Sequence, residues 1–368
     1  MKMNEALLKQ EERAIYALRA LFRTYGYLPF RMSRFEEYDL YVRNKDFLVS
    51  DSVITFTDTN GRLLAMKPDV TLSIIKNTVD ESGCKQKFSY NENVFRISAR
   101  TGQYKEIMQT GVECVGDIDG YDIFEVVSLA AASLATVSEN YMLDLSHMGI
   151  LSAVMDAAGV SDDFRRAYAP LLSARNRHEC ERLCADAGLD AEKTAALVAF
   201  TELYGAPDKV LSALAPLCVG EAASRAYREL ADLCALLDKT PYADRIRIDF
   251  SVSGDMRYYN GILFRGYLDG IAEGVLSGGE YGRLVRRMGK KSNAIGFALY
   301  LDLLEDLDTS RPATDVDVLL LYSDKTDKNR VVACRDALIS EGKSVSAQRA
   351  IPEKLRYGTL IDLDREDN

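Results

Sequence analysis

Four short segments set hydrogen-bonding side chains in strand-like surroundings: Lys67-Pro68-Asp69-Val70-Thr71, Phe95-Arg96, Gln109 to Glu113 (QTGVE) and Arg257 to Phe264 (RYYNGILF). Gln109, Gly111 and Glu113 fall on one face of an extended strand, because side chains alternate with period two. Two polar groups flanking a glycine fit a pocket floor that a ligand approaches closely. Taken alone, the same row fits a polar face turned to solvent. The run Gly278-Gly279-Glu280-Tyr281-Gly282 offers close backbone approach, but taken alone it reads as a plain loop. It lacks the Gly-Lys-Ser/Thr ending of a P-loop. His147 and His178 are the only histidines. No carboxylate or cysteine is legible around His147, which predicts a structural role. Cys180 and Cys184 share one face of a predicted helix, but that face supplies too few ligands for a metal. No Ser/His/Asp or Cys/His nucleophile constellation is legible, so no catalytic residue, metal or cofactor is expected.

Several elements must position these groups. Residues 5–25 read as an amphipathic helix with Ile15, Leu18, Leu21 and Phe22 on one face and Gly26 as its stop. Ser52 to Thr57, the turn Asn60-Gly61 and Arg62 to Met66 form a hairpin signal. Further strands are expected at Gln86 to Ser98, Ile107 to Gly116, Tyr141 to Ser146, Arg245 to Val252 and Tyr258 to Tyr267. Helices are expected at Val70 to Val79 and Tyr121 to Ser138. Strands mostly follow one another, which favours an antiparallel α+β sheet over a doubly wound fold. From about 158 to 242 the chain is Ala- and Leu-rich with helical spacing and reads as an all-helical insertion. A last unit has strands at Val316 to Tyr322, Ser344 to Arg349 and Thr359 to Leu363, and a helix at Lys328 to Glu341. The domain expectation is therefore 1–157 and 243–312 as two parts of one core, 158–242 inserted, and 313–368 as a small C-terminal α/β domain.

Composition narrows the class. Apolar residues at 47% and charged residues at 28% describe an ordinary globular protein. No apolar run approaches the roughly 20 residues of a membrane helix, and the polar N-terminus carries no signal-peptide core. Seven scattered cysteines, never in a CxxC pair, fit reduced thiols in a cytoplasmic protein. The net charge of −10 speaks against a nucleic-acid partner, since gripping phosphates takes Lys and Arg. The nearest basic stretch, Arg283 to Lys291 (RLVRRMGKK), is short.

In order, the segments resemble the histidyl-tRNA synthetase family of class II synthetases, over most of residues 1–310. Met66 to Thr71 (MKPDVT) looks like the family's Leu-Arg-Pro-Glu-Gly-Thr segment. Tyr90 to Gly116 looks like motif 2. Met256 to Phe264 (MRYYNGILF) looks like the histidine-specific segment. Gly278 to Leu284 with Ala294 to Leu304 looks like the glycine-rich and motif 3 regions. The resemblance implies a class II aminoacyl-tRNA synthetase-like antiparallel sheet flanked by helices, and a pocket for free histidine. In that pocket Asp69, Thr71 and Gln109 meet the α-ammonium and Arg96 the α-carboxylate. Glu113 and Tyr259, with Tyr258 beside them, read the two imidazole nitrogens.

The departures carry as much weight. Gly254 stands where the synthetases have the arginine that stabilises adenylation, with Arg257 at a different offset. Ser98 replaces the motif 2 glutamate, and Leu303 the motif 3 arginine. Cationic clamps on developing phosphate charge are usually the largest catalytic contribution, so binding without chemistry is implied. That pattern, with Phe35 to Leu40 (FEEYDL), Leu143 to Gly149 (LDLSHMG) and Tyr258 to Tyr267 (YYNGILFRGY), resembles the family's non-catalytic branch, the regulatory subunits of ATP phosphoribosyltransferase. It implies a role in the first step of histidine biosynthesis. Its partner would be the short-form ATP phosphoribosyltransferase catalytic subunit, in a hetero-oligomer containing a homodimer of this chain, and free histidine would be its ligand. Two other readings remain open at this point: an active histidyl-tRNA synthetase or amino-acid–AMP ligase, and a stand-alone histidine-binding protein.

Overall fold

The computed structural model describes residues 9–44, 53–97, 102–253, 258–307 and 314–365. Gly254, Arg257 and Ser98 lie outside them. The chain divides into two compact units, residues 1–307 and 308–368.

The larger unit is built on a nine-stranded sheet. Its strands are β1 (Leu28–Pro29), β5 (Lys85–Ile97), β6 (Tyr104–Gly116), β7 (Tyr141–His147), β8 (Tyr204–Gly205), β9 (Ile246–Asp249), β10 (Ile262–Leu268), β11 (Leu276–Glu280) and β12 (Asn293–Tyr300). Their spatial order is β1-β5-β6-β12-β11-β10-β7-β9-β8. The pairs β1–β5 and β7–β9 are parallel, and all others are antiparallel, so the expected α+β sheet is present with parallel joints toward both edges. A smaller antiparallel sheet holds β2 (Phe35–Glu37), β3 (Thr55–Thr57) and β4 (Leu63–Met66). Its hairpin turn is the Asn60-Gly61 site, where the Asp58 carboxylate accepts from the backbone N–H groups of Asn60 and Arg62 at 2.8 and 2.9 Å.

Period-two alternation gives the large sheet two different faces. Val112, Cys114, Ile295, Phe297 and Leu299 enter the main core, under α1 (Gln10–Thr24) and α4 (Gly120–Val137). By length and composition α4 could cross a membrane, yet Val126, Val127, Leu129, Ala130 and Leu134 lie fully buried in this core. Asp119 caps its first turn, and α5 (Met148–Ala158) follows β7. On the other face Val115 and Ala294 pack with Leu72 and Ile75 of α3 (Thr71–Asn77) and Leu284 and Val285 of α11 (Gly282–Arg287). The short α2 (Tyr38–Arg43) adds Tyr41 to the same cluster.

Between residues 158 and 242 run α6 (Asp162–Ser173), α7 (Arg177–Asp186), α8 (Ala191–Ala199), α9 (Pro207–Leu214) and α10 (Glu221–Leu237). The stretch is not wholly helical, because β8 pairs with β9 and closes the sheet edge. Its buried side chains, Cys180 and Cys184 among them, join the main core. Two expected strands are shorter than their apolar runs: β9 stops at Asp249, and β10 begins only at Ile262, leaving Tyr258 to Gly261 as a connecting segment.

The second unit holds β13 (Val316–Leu321), α12 (Lys328–Ser340), β14 (Val345–Gln348) and β15 (Tyr357–Asp362). The central β13 pairs in parallel with both neighbours and buries Leu319 and Leu320.

Candidate functional site

The face carrying α3 and α11 contains a pocket of about 350 Å3, within the range of roughly 300–1,000 Å3 usual for small-molecule sites. Register explains the hollow. Gly279, Gly296 and Glu113 lie side by side across β11, β12 and β6, and Ser277, Ala298 and Gly111 form the next row. Small residues in adjacent columns leave a depression, and larger ones wall it.

All seven residues expected from the sequence line this pocket: Asp69, Thr71, Arg96, Gln109, Glu113, Tyr258 and Tyr259. The structure adds Tyr90, Arg265, Ser277, Tyr281 and Tyr300. Tyr281 was visible only as part of the glycine cluster, whose loop reading is corrected here: Gly278 to Glu280 belong to β11 and Gly282 opens α11. Arg265, Ser277 and Tyr300 had no local signal, since only cross-strand register brings them together. The close approach at Gly111 is also not made by a ligand. A Cβ there would collide with the Phe297 carbonyl and sit 2.6 Å from the Tyr90 hydroxyl, so the glycine admits a neighbouring strand and a tyrosine.

Asp69 is positioned by a clamped turn. The fully buried Lys67 sends its ammonium to Glu92 at 2.9 Å, and its backbone bridges Arg34 and Phe95. Asp69 then accepts from the Leu72 N–H at 3.0 Å, at the start of α3, where an anion meets the positive end of the helix. Burial raises the Asp69 carboxyl's pKa, opposed chiefly by Arg96. Arg96 itself donates to the Pro68 carbonyl at 2.9 Å, which ties β5 to the turn.

Glu113 is 2% exposed. One carboxyl oxygen accepts from Thr71 Oγ1 at 2.7 Å and the other from the Tyr281 hydroxyl. Burial pushes the carboxyl up to about 8, while these two hydrogen bonds pull it down and Asp69 adds to the rise. Thr71 also hydrogen-bonds the Tyr258 hydroxyl. The Tyr258 and Tyr259 rings meet edge to face at 4.5 Å, and Tyr258 lies 5.8 Å from the Tyr281 ring. Gln109 is 3% exposed and faces the cavity from β6. At the far corner Ser277 Oγ and the Tyr300 hydroxyl share a hydrogen bond at 2.8 Å.

Such a lining offers hydrogen-bonding groups at several points around one cavity. Two carboxyls, an amide and two guanidinium groups around one cavity suit a zwitterion, with an anionic end on Arg and a cationic end on Asp. His147 lies outside this lining. It does have a carboxylate neighbour, contrary to the sequence expectation: its Nε2 stands 3.2 Å from Glu229, which is 82 positions along the chain, while Nδ1 accepts from the Gly149 N–H and caps α5. Its role remains structural. Among the described residues no three His, Cys, Asp or Glu side chains gather as a metal site. Leu303, at the position resembling the motif 3 arginine, packs against the main core.

A sequence profile of the histidyl-tRNA synthetase family matches residues 2–304. An ATP phosphoribosyltransferase regulatory subunit of Oceanobacillus iheyensis is 26% identical over 349 residues, covering 93% of this chain and 86% of its own. The fold is similar to a Bacillus halodurans protein described as an ATP phosphoribosyltransferase regulatory subunit/histidyl-tRNA synthetase, at a TM-score of 0.75 and 20% identity over 98% of this chain and 96% of that one. It is also similar to a chain of an ATP phosphoribosyltransferase complex from Thermotoga maritima, at a TM-score of 0.62 and 18% identity over 79% of this chain and 97% of that one. With most of its length matched by the family profile and its sheet built in the same class II manner, this chain belongs to the histidyl-tRNA synthetase family.

Proposed function

We propose that this chain is a regulatory subunit of ATP phosphoribosyltransferase. It activates a short-form catalytic subunit in the cytoplasm and takes part in histidine feedback without catalysing a reaction itself. The regulatory-subunit relative that aligns over nearly the whole chain supports the assignment. The observation that carries it is a contrast between two sets of positions. Every side chain expected to hold a free amino acid lines a single pocket, whereas the position resembling the motif 3 arginine is Leu303, a partly buried side chain packed against the core.

Histidine fits the pocket by chemistry. Asp69 and Gln109 receive the α-ammonium, and Arg96 receives the α-carboxylate. Glu113 accepts from one imidazole N–H, and Tyr259 meets the opposite ring nitrogen. Thr71 serves by holding Glu113 and Tyr258. A site of this kind rejects ligands that leave its buried polar groups unpaired. Binding controls the partner when one assembly state holds histidine more tightly than another, and couplings of about 1–3 kcal/mol give 5- to 150-fold control. Movement of Tyr258 to Gly261 over the imidazole is the event we assign to that coupling. In the active assembly the chain is a homodimer within the hetero-oligomer.

Isothermal calorimetry on Glu113→Ala tests the ligand assignment. Loss of a hydrogen bond to a charged group predicts at least a tenfold weaker histidine affinity. An affinity equal to the wild type's removes histidine from this pocket. ATP–pyrophosphate exchange with histidine, expected to be absent, tests the lack of catalysis.

A further inference from the structure

We propose that Tyr281 is the positioning residue of the pocket: its hydroxyl holds the Glu113 carboxyl in the orientation and charge state that accept a ligand N–H. The inference rests on the reading of this pocket as a histidine site and assigns a role that the sequence pattern did not.

The geometry is specific. Glu113 projects into the pocket from near the C-terminal end of β6, and its two oxygens are each held by one hydroxyl, Thr71 on one side and Tyr281 on the other. Both donors begin short helices. Thr71 is the first residue of α3, and Tyr281 immediately precedes α11, accepting with its carbonyl from the Leu284 N–H at 3.0 Å. Its own N–H donates to the Ala294 carbonyl at 2.9 Å, so strand β12 fixes its backbone. The ring is 2% exposed and packs with Leu284, Val285 and Leu72. The phenol therefore reaches Glu113 from a rigid mount, and the carboxyl is constrained from both flanks.

The titratable groups facing Glu113 are Asp69, at the turn before α3, Tyr90 on β5, Tyr258 and Tyr259 on the connecting segment, and Tyr281 itself. Among the described residues no cation acts on Glu113 directly; Arg96 acts on Asp69. Among the described residues the two hydroxyl donors favour the carboxylate, against burial and Asp69. A bound imidazole N–H needs that carboxylate as acceptor, so Glu113 must give up its proton to solvent when the ligand docks. The Tyr281 hydroxyl lowers the pH at which this happens. Removing it moves the carboxyl's titration upward and carries the binding profile with it.

The test is histidine affinity measured by calorimetry from pH 6 to pH 8.5 on the full chain, in wild type and Tyr281→Phe. The ring stays in place, and only the donor is lost. The wild-type affinity is expected to rise with pH toward about 8, and in Tyr281→Phe the rise is expected about one pH unit higher, with several-fold weaker binding at pH 7. Parallel profiles, with the same midpoint and a uniform loss, describe a merely structural tyrosine and overturn the proposal. A wild type that binds no histidine at any pH overturns the ligand assignment on which this inference rests, and is distinguishable from a shiftless variant. Should Tyr281→Phe fail to fold, fluorotyrosine at position 281 keeps ring and hydroxyl and is a stronger donor. It must move the midpoint downward, and an unmoved midpoint counts against the proposal.

Discussion

Glu113 shows how one side chain links stability to function. An unfolded glutamate titrates near 4.5, whereas the buried carboxyl holds its proton to about 8. Between those values the folded chain binds more protons at this position than the unfolded chain. Stability contributed here is therefore present below about pH 4.5 and is lost as pH rises through 8. Glu113→Gln is neutral throughout and lacks this slope. Urea unfolding at pH 5 and pH 8 should show the wild type losing a few kcal/mol relative to the variant over that interval. Equal pH dependence in the two chains would mean that Glu113 is ionised when the pocket is empty. Asp144, a second carboxyl raised by burial, to about 6, is present in both chains and cancels. The residues that line the pocket were legible as polar segments with their own texture, from Lys-Pro-Asp to Gln-Thr-Gly-Val-Glu, and only the family resemblance assigned them to an amino-acid ligand. Tyr281 was not singled out, because its importance lies in a contact with a residue 168 positions away.

At the scale of elements the pocket depends on what the strands omit. A Cβ on Gly296 would overlap the Glu113 carboxylate and lie 2.5 Å from the Val112 carbonyl. Strand interiors usually lose stability to glycine, and here the glycine is the only residue that lets Glu113 lie across β12. Gly296→Ala should destabilise the fold by about 1–3 kcal/mol and weaken histidine binding by at least tenfold, read by thermal unfolding and calorimetry together. A variant with unchanged stability and affinity would contradict the packing described. Local patterns announced most elements: the Asn60-Gly61 hairpin, α1 with its buried Leu18 and Phe22, and β5 and β6 as long paired strands. They failed where tertiary register decides. The Gly-Gly-Glu run forms a strand because β10 and β12 flank it. Tyr204–Gly205 becomes a strand within a helical stretch because β9 offers a free edge. His147 gained a carboxylate only when α10 packed against α5 and β7.

For the whole molecule, the chain has the fold of the histidyl-tRNA synthetase family, and the position resembling the motif 3 arginine is a partly buried leucine packed against the core. The compact unit at residues 308–368 is a separate three-stranded parallel sheet with its own buried leucines. The proposed regulatory role acts through a partner, so the decisive experiment includes that partner. Phosphoribosyl-ATP formation by the short catalytic subunit is measured with and without this chain, across a histidine titration. The expected result is a rate that rises when the chain is added and falls as histidine saturates the pocket, with no product from the chain alone. An unchanged rate on adding the chain, or histidyl-adenylate formed by the chain by itself, would contradict the account.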